Sequence, residues 1–461
     1  MATQSPPIVS LQSPKDVSIG EIEAELHNIW QSYKEGGDNG DSPVATRATT
    51  FSFVVYEPEE TQQLLAGLGF YNGPIDGIKG PLMDASIKAA QKAYKLPVTG
   101  KADADTISRL REEFAGSHPV ATKNSPDGSK RTLDSDNRGF VVADAIAAAN
   151  PCRIIALCPI SGEDTGVSVQ VSAYCPINKQ SQNTLICCEY ITLRGTAEAL
   201  ERNGGVVSEL TIGDLPKFLW WKATPDTNNG LFKRLAAIAT STIVDSSSFS
   251  NPEADLLRVQ SLLEQGIQVA DLNWRRLAAW QELTAEAFDP PERRAAIKEV
   301  DLVTIDYEKG NPTQALMFLG WLASRMQWRP VSYKHEGGDY DIKRIQFVSP
   351  DQRPVEAELA GIPTGDWGEI PGDMVGLKLA STNLDADCCT VLCSETTGCM
   401  RMEAGGGAQS CRIQQVTSLT DQKAEFLLSQ QLRRWGRDKL YEESLAVTSE
   451  ILRLNEPDEQ K

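Results

Sequence analysis

Ala48-Thr49-Thr50-Phe51-Ser52-Phe53-Val54-Val55-Tyr56 is rich in β-branched and aromatic residues and reads as a strand. After it the pattern changes abruptly. Glu59–Leu68, Met83–Tyr94 and Ala104–Phe114 read as short helices of one compact unit over residues 57–115. Residues 116–137 are polar and rich in Gly, Pro, Ser and Asp, which suits a flexible linker. The earlier pattern then resumes with an Ala-rich helix at Phe140–Ala149 and a buried-type strand at Arg153–Leu157. Val167–Ala173 alternates as a strand does, and Leu185–Cys187 leads toward a helix over Thr196–Asn203. Strand–helix alternation on both sides predicts that the small unit is inserted into one discontinuous α/β domain, residues 44–56 and 138–250.

The first two helices of the small unit are joined by Gly69-Phe70-Tyr71-Asn72-Gly73-Pro74-Ile75-Asp76-Gly77-Ile78-Lys79-Gly80-Pro81, whose four glycines permit the positive-φ turns of a tight loop. With Gln63-Leu64, Leu68-Gly69-Phe70-Tyr71, Asp76-Gly77, Gly80-Pro81, Gln91, Val98-Thr99-Gly100, Thr106 and Leu110, the unit resembles the peptidoglycan-binding-like three-helix domain. That family usually places an aromatic residue before the Gln. Ala90 stands there instead, so the resemblance implies the fold and does not establish sugar binding.

Residues 1–43 read as a tail, a helix and a linker. The Pro/Ser/Gln-rich stretch 1–17 is expected to be mobile, Ser18 can cap a helix carrying Ile22, Leu26, Ile29 and Trp30, and Glu35–Pro43 is the linker. From Asn251 onward the pattern is α+β. Glu253–Gln265, Trp274–Phe288 and Thr313–Met326 are helical, Val300–Asp306 is a strand, and hairpins follow at Val331–Lys334 with Ile342–Val348 and at Met374–Ala380 with a Cys-rich stretch. Asp421–Gly436 and Asp438–Leu454 close a domain taken as 251–461. The fold class expected is multidomain: α/β with a three-helix insertion, then α+β.

Composition narrows the function. The 461 residues hold 45 Lys+Arg against 63 Asp+Glu, a net charge of −18, which disfavours nucleic acid and anionic lipid as partners. No stretch approaches the ~20 apolar residues that span a bilayer, and Met1–Ser18 lacks a basic segment followed by an apolar run, so a cytoplasmic protein is expected. His27, His118 and His335 form no HExxH arrangement, and GxGxxG, GxxxxGK and GxSxG are absent. No catalytic residue, metal site or cofactor is assigned. Glu57, Glu59 and Glu60, like Glu442 and Glu443, read as solvated charge, and His335 as part of a turn.

Asp214-Leu215-Pro216-Lys217-Phe218-Leu219-Trp220-Trp221-Lys222 sets two Trp on opposite faces of an extended segment, one available to a core and the other to a partner. In Asp271-Leu272-Asn273-Trp274-Arg275-Arg276-Leu277-Ala278-Ala279-Trp280, Trp274, Leu277 and Trp280 recur at helical spacing. Trp220, Trp221, Trp274 and Trp280 are candidates for partner contact, with core packing the simpler reading. These two segments, the Asn-Pro-Cys-Arg-Ile-Ile run containing Arg153, and Gly320-Trp321-Leu322-Ala323-Ser324-Arg325 occur in one order. Together they resemble the glucose-6-phosphate dehydrogenase assembly protein family, OpcA, from about residue 18 to 454. The three-helix insert is similar to that of members from oxygenic photosynthetic bacteria. The resemblance implies a non-enzymatic protein that binds glucose-6-phosphate dehydrogenase, supports its active oligomer and raises its activity in the oxidative pentose phosphate pathway. A glycan- or peptidoglycan-binding protein is the alternative that the insert raises.

Ten Cys in 461 residues is too sparse for a disulfide scaffold, so free thiols are the default. The dense stretch is Cys388-Cys389-Thr390-Val391-Leu392-Cys393-Ser394-Glu395-Thr396-Thr397-Gly398-Cys399, followed by Cys411. A metal or iron–sulfur site matches neither paired CxxC knuckles nor ferredoxin runs. Reduced structural thiols are a second reading. A regulatory disulfide between Cys393 and Cys399 is the reading adopted: the two flank a five-residue turn able to bring two Cα atoms within the ~4.4–6.8 Å bonding range, and thioredoxin could reach such a loop. Cys388, Cys389 or Cys411 could supply an alternative partner. Cys152, Cys158, Cys175, Cys187 and Cys188 read as buried strand residues.

Overall fold

The computed structural model describes residues 8–35, 44–47, 50–71, 81–117, 151–160, 162–176, 184–291, 293–363, 370, 372–383, 385–386, 388–395, 399–404, 413–418 and 424–455. The linkers expected at 35–43 and 116–137, the helix expected at Phe140–Ala149, the loop 72–80 and Cys411 fall wholly or mainly outside these residues. The chain forms two compact units. One comprises residues 1–244 with 428–435, the other 245–427 with 436–461.

In the first unit β1 (Ile8–Val17), β2 (Val44–Arg47), β3 (Ser52–Tyr56), β4 (Arg153–Pro159), β5 (Ser168–Pro176), β6 (Thr184–Gly195), β7 (Lys217–Trp221) and β8 (Ser241–Val244) build a mixed sheet. The order runs β1-β5-β6-β4-β3-β7-β8, with β2 also pairing with β6. Neighbours among β6, β4, β3, β7 and β8 are parallel, whereas β5 pairs antiparallel with β6 and β1 antiparallel with β5. Parallel strands covered on both faces are apolar throughout, and β3 is buried at all five positions. The mobile tail expected at 1–17 is corrected here, because residues 8–17 are a strand. Its ladder partner lies over 150 residues away, and Pro14 sits where the register shifts between Gln12 and Lys15, as an edge strand allows.

Ser18 precedes α1 (Ile22–Glu35), and its N–H donates to Glu21 Oε2 at 3.1 Å. The stripe read from sequence is buried: Ile22, Leu26, Ile29 and Trp30. Trp30 Nε1 donates to Glu189 Oε1 at 2.7 Å, and Arg153 Nε donates to Glu189 Oε2 at 2.7 Å while its Nη1 reaches Glu23. A buried ion pair on adjacent strands thus ties α1 to the sheet.

Between β3 and β4 in sequence lie α2 (Glu60–Gly67), α3 (Pro81–Ala93) and α4 (Ala104–Ser117). Leu64, Leu65, Tyr71, Met83, Ile87, Ala90 and Leu110 form their own core. Gln91 is buried at its centre. Its Oε1 accepts from Thr99 N–H and Gly100 N–H, both at 2.9 Å, and its Nε2 donates to Thr106 Oγ1 and Lys101 O, both at 3.0 Å. Gln91, Thr99, Gly100 and Thr106, which carried the resemblance, are therefore occupied in holding this fold.

The connections in the rest of the first unit are α5 (Ala197–Arg202), α6 (Gly204–Leu210) and α7 (Gly230–Ile238). In the second unit come α8 (Pro252–Glu264), β9 (Val269–Asp271), α9 (Leu272–Arg276), α10 (Ala278–Phe288), β10 (Leu302–Glu308), α11 (Thr313–Met326), β11 (Arg329–Gly337), β12 (Ile342–Val348), β13 (Pro354–Ile362), β14 (Met374–Ala380), β15 (Thr390–Glu395), β16 (Cys399–Ala404) and β17 (Ile413–Ser418), then α12 (Ala424–Gln431), which extends into the first unit, and α13 (Lys439–Arg453). The second sheet runs β11-β12-β13-β10-β14-β15-β16-β17, and among the described residues only its β10–β13 pair is parallel. Helix α11 is buried from Thr313 to Gly320, since α13 lies against it. Ser444 Oγ donates to Met317 O at 2.6 Å and Thr448 Oγ1 to Leu316 O at 3.1 Å, a close approach that Gly320 permits by lacking a Cβ.

Candidate functional site

Two places could carry function. In the first unit, the chain leaves β3, passes to β4 and β6 on one side, then returns to β7 and β8 on the other. The reversal makes a topological switch point between β3 and β7, where doubly wound sheets bind ligands outside their carboxyl ends. Tyr56 and Trp221 stack there with ring centroids 3.8 Å apart. A phosphate bound at such a place uses the free N–H groups of the following helix. Here one of them is claimed already: Glu59 caps α2, its carboxylate accepting from Gln62 N–H at 2.7 Å. Nearby cations are also committed. Lys222 donates to Glu57 at 2.6 Å, and Arg111 makes a two-pronged pair with Glu60 at 2.9 and 2.8 Å. A calorimetric titration with NADP⁺ is expected to show no saturable binding below about 1 mM; binding in the micromolar range would show that this end of the sheet does accept a phosphate.

The second place is the Cys-rich hairpin. The β15–β16 register sets Cys393 opposite Arg401 and Cys399 opposite Glu395, and on the other side Gly376 of β14 faces Cys393. Positions 393 and 399 therefore share one face of the hairpin and are diagonal across it, two register steps apart with the 394–400 pair between, rather than directly opposite. Leu392 and Thr390 are buried on the other face, and α10, the helix of Trp280, lies against β15 and β16. Residues 396–398 and the side chains of Cys393 and Cys399 lie outside the described residues. Cys388 is buried, and burial, with Cys389 beside it, pushes its thiol up to about 11, which disfavours the reactive thiolate. Cys389 is half-buried and free.

The other cysteines differ from expectation at one point. Cys152, Cys158 and Cys188 lie outside any disulfide, Cys152 and Cys188 are buried, and Cys152 N–H donates to Cys188 Sγ at 3.4 Å. Cys187, expected as a free strand thiol, is disulfide-bonded. The β5–β6 register that sets Tyr174 against Cys188 brings position 175 against 187 one step on. Sequence spacing could not show this, because the two strands meet only through the antiparallel turn-back of β5 on β6. Among the described residues no group of three or more His, Cys, Asp or Glu side chains is placed to hold a metal ion.

All four candidate tryptophans are buried. Trp220 and Trp221 are 3% and 1% exposed, and Trp274 and Trp280 are 5% and 2%. Alternation does send Trp220 and Trp221 to opposite faces of β7, but the sheet is covered on both. Trp220 stacks near Phe53 and under Lys222, and Trp221 packs on Tyr56 and Phe232. Trp274 Nε1 donates to Asp438 at 3.2 Å beside Tyr441. A partner could act on these indoles only through the residues that cover them.

Sequence reasoning missed the buried polar centre around the motif that begins at Asp271. Asp271 caps α9, its Oδ1 accepting from Asn273 N–H and Ser246 N–H at 2.9 and 3.0 Å. Arg276 pairs with both carboxylate oxygens of Asp245, and Gln314 Nε2 joins Asn273 to Asp373. The signal was the density of Asp, Asn and Arg inside an apolar-spaced helix.

Comparison with known proteins bears on the whole chain. Residues 143–261 match the glucose-6-phosphate dehydrogenase subunit N-terminal domain, OpcA_G6PD_assem, and residues 267–445 match the C-terminal domain, OpcA_G6PD_C. Residues 56–110 match a peptidoglycan binding domain. An OxPP cycle protein OpcA from Nostoc punctiforme is 65% identical over 463 residues, covering 98% of this chain and 97% of its own. Its counterpart from Synechocystis is 57% identical over 455 residues, covering 98% and 95%. Among solved structures, an oxidoreductase from Thermotoga maritima covers 57% of this chain and 80% of its own at 14% identity, with a TM-score of 0.36, too low to carry a conclusion. No helix among the described residues is long and apolar enough to cross a membrane. With two domain models in register and relatives of this identity along nearly its full length, the chain belongs to the OpcA family of glucose-6-phosphate dehydrogenase assembly proteins, and it carries a peptidoglycan-binding-like insertion.

Proposed function

We propose that this chain is a non-catalytic assembly factor and activator that docks on oligomeric glucose-6-phosphate dehydrogenase in the cytoplasm, with thiol–disulfide control through Cys393 and Cys399. The observation that carries the reading is the match of both dehydrogenase-subunit domains over residues 143–261 and 267–445. An effector acts only through differential affinity for two states of its target, so docking raises activity by favouring the dehydrogenase form with higher substrate affinity. In the redox step a thioredoxin dithiol attacks the Cys393–Cys399 disulfide. Thioredoxin is oxidised to its own disulfide, and the two hairpin sulfurs take up two electrons and two protons. The diagonal placement of the two positions means that forming and breaking the bond moves the hairpin backbone. A coupling of ~1–3 kcal/mol between hairpin shape and docking would shift affinity about 5- to 150-fold.

The test is dehydrogenase velocity against glucose 6-phosphate, with the purified protein added after oxidation or after thioredoxin treatment. Activation by the oxidised form that fades on reduction is expected, and Cys393→Ser should remove the response to reductant. A Cys393→Ser protein that responds like its parent would take this pair out of the mechanism, and no co-elution with the dehydrogenase at micromolar concentration would overturn the docking itself. The glycan reading has less support, since Gln91, Thr99, Gly100 and Thr106 are occupied within the insert and the core position before Gln91 holds Ala90 in place of an aromatic ring.

A further inference from the structure

After α12 the chain makes a tight turn that holds itself in shape. Leu432 N–H donates to Leu428 O and Arg434 N–H to Gln431 O, both at 2.9 Å, while Gln431 Nε2 closes back on Arg434 O at 3.4 Å. Trp435 Nε1 donates to Leu432 O at 2.9 Å, and its ring leans on buried Phe218 with centroids 6.5 Å apart. These contacts fix the indole and leave it 54% exposed, unlike every other tryptophan among the described residues. Arg433 and Arg434 beside it are exposed, and neither has an ion-pair partner among the described residues. Most other surface arginines here are paired, as Arg111 is with Glu60 and Arg344 with Glu336, Glu356 and Glu358. Two adjacent uncommitted guanidinium groups next to a half-exposed indole are out of character in a chain of net charge −18.

Trp and Arg are the side chains that most often dominate protein–protein binding energy. A surface turn already fixed by its own hydrogen bonds loses little freedom on docking, and unpaired cations speed encounter with an opposite field. We propose that Arg433, Arg434 and Trp435 form a docking anchor for an acidic patch on the partner protein, with the indole entering an apolar recess within that patch. Nucleic acid and anionic membranes are negative over their whole surface, which the chain's net charge of −18 opposes, whereas a protein can confine its acidic groups to one patch that meets Arg433 and Arg434, so the occupant is a protein. The proposal rests on the dehydrogenase reading above and names the part of this chain that meets it.

The test measures association of the full chain with purified glucose-6-phosphate dehydrogenase at low and at high salt. Three variants are compared with the parent: Trp435→Ala, Arg433→Glu with Arg434→Glu, and Arg433→Lys with Arg434→Lys. Trp435→Ala is expected to weaken binding about 30-fold. The charge-reversed pair should slow association about tenfold at low salt and lose much of the salt dependence, while the lysine pair stays near the parent. Melting temperature serves as the folding control, and if Trp435→Ala fails it, the exposed arginine pair still decides. A parent that binds while the Trp435→Ala and charge-reversed variants bind equally well overturns the anchor alone. A parent that does not bind overturns the dehydrogenase reading and the anchor with it.

Discussion

Arg153→Ala is expected to cost about 3–5 kcal/mol of folding stability, enough to unfold much of the first unit at moderate temperature. The reason is what the substitution leaves behind. Glu189 is fully buried, and its carboxylate is held by Arg153 Nε and Trp30 Nε1, each at 2.7 Å. Removing the guanidinium takes the countercharge away from a buried carboxylate, and the neutral indole N–H of Trp30 cannot replace it. It also frees Leu210 O, to which Arg153 Nη1 donates at 2.9 Å. Glu23, the other partner of Arg153, is 59% exposed on its side chain. Glu23→Gln should therefore cost no more than about 1 kcal/mol, as for any solvent-screened pair. Denaturation followed by tryptophan fluorescence checks both. The double variant Arg153→Met with Glu189→Leu should recover much of the loss, because a buried ion pair replaced by apolar residues is often nearly neutral. An Arg153→Ala protein that unfolds with its parent would mean that Glu189 is solvated in the folded state.

A pH effect belongs to the second unit. Asp271 is 2% exposed, and its Oδ2 has no hydrogen-bond partner. Burial, with Asp245 close by, raises its carboxyl to about 6 from the ordinary 3.8. Asp373 is raised to about 6 chiefly by burial, whereas Asp245, despite burial, is held below its ordinary value by Arg276. A carboxyl whose folded-state pKa lies above its unfolded value keeps its proton longer in the folded chain. Its penalty is absent below pH ~4, grows as pH rises toward ~6, and is complete above that. About two pK units at ~1.4 kcal/mol each come to roughly 3 kcal/mol. Asp271→Asn keeps the oxygen that caps α9, Asn being as good a cap as Asp, and cannot ionise. The variant is expected to exceed the parent by about 1 kcal/mol near pH 4.5 and by up to about 3 kcal/mol at pH 8. Asp373 will retain part of the slope. Urea unfolding at the two pH values decides it: a variant that loses as much stability as the parent between them would show that Asp271 ionises freely when folded.

Where local chemistry settles an element, reading it from residues worked. β3 and β4 were legible because parallel strands buried on both faces read as near-continuous apolar runs, Phe53–Tyr56 and Ile154–Leu157, and the stripe of α1 because Ile22, Leu26, Ile29 and Trp30 recur at 3.6-residue spacing. β1 was not legible, since Ser, Gln, Lys and a Pro have weak strand preference and only the ladder offered by β5 makes them one. β13 was overlooked although Val355, Ala357 and Leu359 alternate with Glu356 and Glu358, because the acidic positions masked the period. For the candidate site, the cysteine hairpin was legible as two runs around a turn. Its register was not, because one residue of slip decides whether positions 393 and 399 oppose each other or lie diagonal.

The sequence by itself determined the family, the three-helix insertion and the net charge of −18, each a property of residue identity and order along the chain. The tertiary structure alone decided that the four expected tryptophans are interior while Trp435 is at the surface, that Glu59, Glu57 and Glu60 engage Gln62 N–H, Lys222 and Arg111, and that Arg433 and Arg434 stand unpaired among the described residues. Burial and ion pairing depend on which distant segments the sheets bring together, and that is set by the packing of whole layers rather than by the residues adjacent in the chain.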